Sequence, residues 1–282
     1  MGQIIAILNQ KGGVGKTTTA INLSASLASL GCRVLLADLD PQGNTTTGLG
    51  IDKRILTRTT YDLLCAGVPA QEVVQETAIP GLQLLPATID LAGAEIELVS
   101  AMAREQKLGS AIGPVADEYD YVLLDTPPSL GLLTVNCLTC ADSVLIPIQC
   151  EYYALEGLAQ LTHTIDLVTR HLNPHLAILG VLLTMYDART KLAQQVAAEI
   201  RRHFGEQVFN SVIPRSVRLS EAPSYGEPII RYAPESRGAL AYLELAKEVM
   251  SIGQAETRPE CAHSGSDLGA AAPGGDPAPA DC

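Results

Sequence analysis

No run of apolar residues in this chain reaches the roughly 18–20 that a membrane-spanning helix needs. Its seven cysteines (32, 65, 137, 140, 150, 261 and 282) are scattered and odd in number. That is not a disulfide framework, and it suits a reducing compartment. The N-terminus, MGQIIAIL, has neither a basic leader nor a small-residue cleavage site, and Ala6 stands where N-myristoylation requires Ser or Thr. These absences set the expectation of a cytoplasmic chain. Internal repeats are missing too, which leaves 282 residues of 47% apolar content, enough for one large buried core.

Basic charge is also scarce overall, with a net charge of −12, but it is unevenly spread. Residues 61–180 hold three Lys/Arg against fifteen Asp/Glu, whereas residues 181–240 hold eight against six. The latter segment contains Arg189, Arg201, Arg202, Arg215, Arg218, Arg231 and Arg237. A cluster of this kind can meet an anionic polymer despite the global charge. The alternative is a set of solvated surface arginines.

Apolar runs read as strands at 3–8, 33–39, 82–87, 121–126, 143–148, 177–184 and 207–213, with helical stretches such as 17–30, 155–171 and 190–203 between them. Continuous Val/Ile/Leu strands alternating with helices predict an α/β fold. The expected form is a doubly wound, mostly parallel sheet covered by helices on both faces. Gly31 fits the end of the first helix, and a last helix is expected at about 236–251. From 253 to 282 the chain turns to Gly, Ala, Pro and Asp. Such a segment has too little apolar surface to fold, so the expected organisation is one domain over 1–252 and a disordered acidic tail.

Three motifs fall at the carboxyl ends of strands, where open parallel sheets bind ligands. The first is KGGVGKTT. Gly15-Lys16-Thr17 closes a phosphate-binding loop set between a strand and a helix, with Lys16 for the β- and γ-phosphates and the Thr17 hydroxyl for Mg²⁺. Gln10 occupies the place of that loop's usual first glycine, and Lys11 is a cation the loop does not require. The second motif is Asp38-Leu-Asp40-Pro-Gln-Gly-Asn. Alternation directs both aspartates toward the phosphates, to position an attacking water or support a metal, unless one of them caps a turn. The third is YVLLDTPPS, which delivers Asp125 as a carboxylate for Mg²⁺. Cys137 and Cys140 have metal-ligand spacing; the alternative is two small apolar residues within a helix.

In this order, KGGVGKTT, DLDPQGN and VLLDTPPS resemble the deviant phosphate-loop ATPases, and most closely the ParA/Soj chromosome and plasmid partition proteins. LLPATIDLAGAE, SVLIPIQCEYYALEGL, YDART and VIPRSVRLSEAPSYGEPIIRY extend the resemblance from residue 1 to about 250. It implies an ATPase that binds ATP and Mg²⁺ through Lys11, Gly12, Gly13, Val14, Gly15, Lys16, Thr17 and Thr18. Asp40 would act on the attacking water, Thr17 and Asp125 on the metal, and Pro214 on the adenine. The same resemblance gives Lys11 its use: two ATP-bound subunits dock face to face, and each Lys11 reaches the phosphates held by its neighbour. Gly12 then leaves room for the approach. Arg189 and Arg218 match the family's positions for non-specific contact with double-stranded DNA. A ParB-type centromere-binding protein is the implied partner that stimulates slow hydrolysis, and the implied place is the nucleoid.

Two other outputs share such a switch. A MinD-type membrane ATPase needs a basic amphipathic C-terminal helix, whereas the last helix here offers Lys247 between Glu244 and Glu248. An ATP-dependent metabolic enzyme on the same fold, such as a cobyrinate or dethiobiotin synthetase, is the other alternative.

Overall fold

The structure is a computed structural model that describes residues 2–151 and 154–256, apart from the side chains of 154–156 and 254–256. Tyr152, Tyr153, Cys261, Cys282 and nearly all of the segment read above as an acidic tail lie outside the described residues.

Strand formation follows the apolar runs. β1 (Gln3–Ile7), β2 (Val34–Asp38), β3 (Gln75–Glu76), β4 (Leu82–Leu85), β5 (Tyr121–Asp125), β6 (Ser143–Gln149), β7 (Ala177–Tyr186) and β8 (Val208–Pro214) form one sheet in the order β3-β4-β2-β5-β1-β6-β7-β8. Every pairing is parallel except β3 with β4. All seven expected strands are present. β3 is the addition, a two-residue edge strand with no apolar run to announce it.

Helices cover both faces, as a parallel sheet requires. In chain order they are α1 (Lys16–Ser29), α2 (Asn44–Gly48), α3 (Ala70–Val73), α4 (Leu91–Glu97), α5 (Lys107–Ala116), α6 (Leu132–Cys140), α7 (Ala154–His171), α8 (Lys191–Phe204), α9 (Val217–Glu221), α10 (Ile229–Tyr232) and α11 (Arg237–Glu256). Side chains of β1 alternate between two cores. Ile4, Ala6 and Leu8 join the core beneath α4 to α8, while Ile5 and Ile7 join the one beneath α1, α10 and α11. Each fully buried Leu or Ile contributes on the order of 1.5–3 kcal/mol, so both faces hold β1 rigidly at the centre. α1 ends where Gly31 takes a left-handed φ of 93° and donates its N–H to Ala28 O. α11 runs past residue 252, into the stretch whose composition reads as tail.

The register fixes the site. Ile7 pairs with Asp125, and Asp125 pairs in turn with Asp38. Three strand ends therefore stop in one row, and the loops that leave them share one rim. The chain crosses from β1 over β5 to β2, so this rim is also a point where the strand order reverses, the usual ligand crevice.

A close backbone crossing braces the loop that follows α2. Gly50 and Gly226 both have left-handed φ, and a Cβ on Gly226 would lie 2.6 Å from Gly50 Cα. Gly226→Ala is expected to lower stability by about 2–4 kcal/mol through this clash and the positive φ, read as a fall of roughly 5–10 °C in Tm. Gly113→Ala, in α5 with nothing within 4 Å of its Cβ position, is the control and should match or exceed wild type. Equal melting of the two variants would mean that the crossing is not a constraint.

Candidate functional site

Between β1 and α1 the chain builds a cradle from its own backbone. Asn9, almost wholly buried, anchors its start: the side-chain amide donates to Pro147 O at 2.7 Å, and Oδ1 accepts the Lys11 N–H at 2.9 Å. Val14 anchors the far side, its side chain buried and its carbonyl accepting the Thr184 hydroxyl at 2.8 Å. Between these anchors Lys11, Gly12 and Gly13 are exposed. Gly13 and Gly15 take φ of 76° and 92°, a region that side chains resist. α1 starts on Gly15 with no side-chain cap and no acidic residue in its first turn. Its leading N–H groups and the positive end of its dipole are thus left to an external anion.

Lys16 is only 7% exposed. Burial lowers its pKa, and Asp125 and Asp40 oppose that by favouring its charge. Asp125 is wholly buried and accepts the Thr17 hydroxyl at 2.9 Å and the Thr45 hydroxyl at 2.6 Å, both on Oδ2. Burial pushes its carboxyl up to about 6 against those two hydrogen bonds and Lys16. Its Oδ1 is buried with no hydrogen-bond partner, a cost that persists only where something else supplies one. The Thr17 hydroxyl and the Asp125 carboxylate are hard oxygen donors that fit Mg²⁺. Among the described residues no three acidic, histidine or thiol groups converge as a metal cage. Magnesium at phosphate sites does not need one, since phosphate oxygens and water fill most of its shell.

The two aspartates after β2 part company. Asp40, 9% exposed, folds an Asx turn by accepting the Gln42 N–H at 2.9 Å on Oδ1, and its carbonyl accepts the Gly43 N–H. Asp38 does not face the phosphate cradle as alternation predicts. It is fully buried and accepts the Thr46 N–H at 2.9 Å and the Thr46 hydroxyl at 2.7 Å, so it braces α2. Its carboxyl is pushed up to about 7, first by burial and then by Asp125.

Next to the cradle lies a pocket of about 250 Å³ lined by Gly15, Thr18, Met185, Pro214, Leu219 and Tyr242, among others. Pro214 thus lines a pocket that shares Gly15 and Thr18 with the cradle. Met185, with a left-handed φ of 49°, is strained backbone in its wall. Lys11 turns away from these groups: its Nζ meets Glu151 Oε2 at 2.8 Å, with the side chains 49% and 46% exposed. Glu151 is also held by the Gln149 side-chain amide at 2.6 Å.

Arg189 pairs with Asp187 through two contacts of 2.9 and 2.8 Å. Arg218, on α9, pairs with Glu221 at 3.3 Å and does not share the cleft that Arg189 lines. Cys137 is fully buried on α6, and the thiol of Cys140 donates to its carbonyl at 3.4 Å. Burial raises the pKa of both thiols, Cys140 to about 12. Both side chains thus pack within α6, as the helix alternative expects. Thr45, Thr184, Met185 and Glu151 were not singled out from the sequence. Threonines, one methionine and a loop glutamate carry no pattern that distinguishes them from ordinary neighbours.

The AAA domain family matches residues 2–178. The sporulation initiation inhibitor protein Soj of Bacillus subtilis (strain 168) is 58% identical over 253 residues, covering 90% of this chain and 100% of that protein. The chromosome partitioning protein ParA of Myxococcus xanthus (strain DK1622) is 58% identical over 250 residues, covering 89% of this chain and 88% of its own. Among solved structures, cobyrinic acid a,c-diamide synthase from Mycobacterium smegmatis with bound ATP analog and magnesium is similar at a TM-score of 0.80 and 38% identity, over 91% of this chain and 97% of that one.

Asp38 makes stability depend on pH. Its carboxyl keeps a proton up to about pH 7 in the folded chain and releases it near 4 when unfolded. The native state thus holds more protons between those values, and stability falls as pH rises from about 4 to about 7. The nucleotide-free chain should lose urea resistance between pH 5 and 7.5, and Asp38→Asn should flatten that slope in part, Asp125 supplying the remainder. A slope untouched by the substitution would assign the proton to another group.

Proposed function

The chain belongs to the ParA/Soj family of chromosome-partitioning ATPases, and from that premise we propose a cycle in which ATP closes two copies face to face and the closed pair holds non-specific double-stranded DNA. Hydrolysis, slow alone and stimulated by a ParB-type partner, releases it. One observation carries this reading. The phosphate loop turns a lysine and two bare glycines outward, and a Cβ on Gly12 would meet nothing within 4 Å. Nothing in the folded chain itself crowds that position, and we read the bare face as room for the approach of a second copy.

The residues divide the work. Backbone N–H groups from Gly12 to Thr18, together with Lys16, hold the triphosphate, and the pocket at Pro214 takes the adenine. The Thr17 hydroxyl and Asp125 hold Mg²⁺, which when bound neutralises charge on the β- and γ-phosphate oxygens. Asp40 accepts a hydrogen bond from the attacking water and aligns it with the γ-phosphorus. Lys11 serves the neighbour. Its pair with Glu151 is half-exposed, and such pairs are worth about 0–1 kcal/mol. A γ-phosphate presented by a second subunit is a stronger and drier partner, so the lysine transfers readily. A cation given in trans rewards only the triphosphate form, which makes dimerisation a report of the bound nucleotide.

The synthase similarity favours a metabolic reading by name. It rests on 38% identity, against 58% for Soj and ParA over nearly the same span.

The deciding experiment is binding to a random-sequence DNA duplex with ATP, with ADP and without nucleotide, repeated with Arg189→Glu. Binding with ATP alone, lost in the variant, is expected. Failure in every nucleotide state at low salt would leave an ATPase without this output. Gly12→Val is expected to fold and bind ATP as wild type does but to remain monomeric in sedimentation. An ATP-dependent dimer of that variant would refute the role given to the loop's outer face.

A further inference from the structure

Beside the nucleotide pocket is a second cleft of about 450 Å³, lined by Tyr186, Asp187, Arg189, Pro214, Arg215 and Arg237 together with Ala188. Three separated segments build it. β7 and β8 end side by side, with Tyr186 in register with Pro214 and the Arg215 N–H donated to Tyr186 O at 3.1 Å. Arg189 follows the end of β7, Arg215 follows the end of β8, and Arg237 is the first residue of α11.

The charge of this cleft is unbalanced. Three guanidinium groups share it with one carboxylate, Asp187, which Arg189 engages by two hydrogen bonds. Neither Arg215 nor Arg237 makes an ion pair among the described residues. The position of Arg237 is unfavourable for its own helix. A cation on the first residue opposes the helix dipole, and the first turn of α11 has no acidic residue to offset it. A helix-stabilising role does not explain this arginine, and neither does packing, because the side chain is exposed.

We propose that Arg215 and Arg237 complete, with Arg189, a seat for a backbone phosphate of the DNA duplex, and that Pro214-Arg215 joins this seat to the base pocket. This rests on the DNA-binding reading above and assigns it two further residues. The joint is structural: Pro214 and Arg215 line both the base pocket and the arginine cleft. An adenine seated against Pro214 fixes the carbonyl-to-amide path that places Arg215, so the nucleotide biases the geometry of the phosphate seat from within one subunit. Dimerisation then doubles the seats. Arg237 lines the cleft alone and is absent from the base pocket, which separates the two functions in a test.

DNA affinity of the full chain with ATP is measured across a salt series for wild type, Arg189→Glu, Arg237→Ala, Arg237→Lys and Arg215→Ala, with Tm and affinity for a fluorescent ATP analogue recorded for each. Arg237→Ala is expected to weaken DNA binding by roughly tenfold and to lower the slope of log K against log salt by about 1 per subunit. Its ATP affinity and Tm should stay unchanged, and Arg237→Lys should recover most of the slope. Arg215→Ala should weaken DNA binding and, as a wall of both cavities, also shift ATP affinity. If wild type fails to bind DNA, the reading on which this rests fails with it. If wild type binds, Arg189→Glu does not, and Arg237→Ala and Arg215→Ala keep wild-type affinity and slope, the phosphate seat alone is overturned.

Discussion

A carboxylate with no access to water at the end of a central parallel strand must be answered by donors, a cation or a proton, and Asp125 is the point at which this chain's motifs answer it. Thr17 comes from the phosphate loop, Thr45 from the first turn of α2, and Lys16 supplies opposing charge. The strand register puts Asp125 level with Ile7 on one side and Asp38 on the other. These contacts do not form unless β1, β2 and β5 are aligned to within one residue. The buried acid is therefore both a product of the fold and a check on it. A slip of one residue in β5 would turn it to the opposite face.

The same residue bears on why one aspartate of DLDPQGN is architectural and the other is left for the proposed chemistry. Two ionised carboxylates cannot share a dry site. Asp38 lies next to Asp125 in register and is itself fully buried, and it takes the higher of the two raised pKa values and the structural hydrogen bonds to Thr46. Asp40 is two residues beyond the strand's end, where the Asx turn replaces strand alternation. Asp38 is still within β2, and alternation does not foresee that Thr46 of α2 takes up its carboxylate instead of the phosphates. Strands, the glycine loop and Asp125 were legible because each is marked by a run or a spacing. The edge strand Gln75–Glu76, the threonines on Asp125 and the contact of Lys11 with Glu151 arise from distant segments brought together. Residues 11 and 151 are separated by most of the sheet's crossovers, and no local pattern links them.

The loop's outward face follows from the division between anchored and bare positions. Asn9 and Val14 fix its ends by buried hydrogen bonds, so the intervening glycines are not free to collapse onto the protein. What they expose is determined by the anchors. A lysine on such a tip stays outside the cradle, and in the proposed cycle only the strength of its partner changes. An exposed glutamate holds it weakly, and a triphosphate across an interface holds it strongly. In the proposed cycle the switch is a competition between two partners for one cation, with the γ-phosphate setting the outcome.

An acidic chain can still meet a polyanion if the charges of opposite sign are far enough apart. Ten of the fifteen acids of residues 61–180 fall within 61–120, the segment that contains α3, α4, α5 and the β3–β4 edge of the sheet. The arginines of the second cleft stand at the ends of β7 and β8, at the other edge. From β4 to β7 is five strand spacings in the sheet order, or roughly 24 Å at about 4.8 Å each. The Debye length at physiological ionic strength is about 8 Å. Across three such lengths the acids exert little force on a phosphate seated among the arginines, and only local charge counts at contact. At low salt the screening length grows toward the width of the sheet, and the acidic edge begins to oppose the approach. In the proposed reading the arginine contacts set the salt slope, and the distant acidic edge adds a repulsion that is felt at low salt.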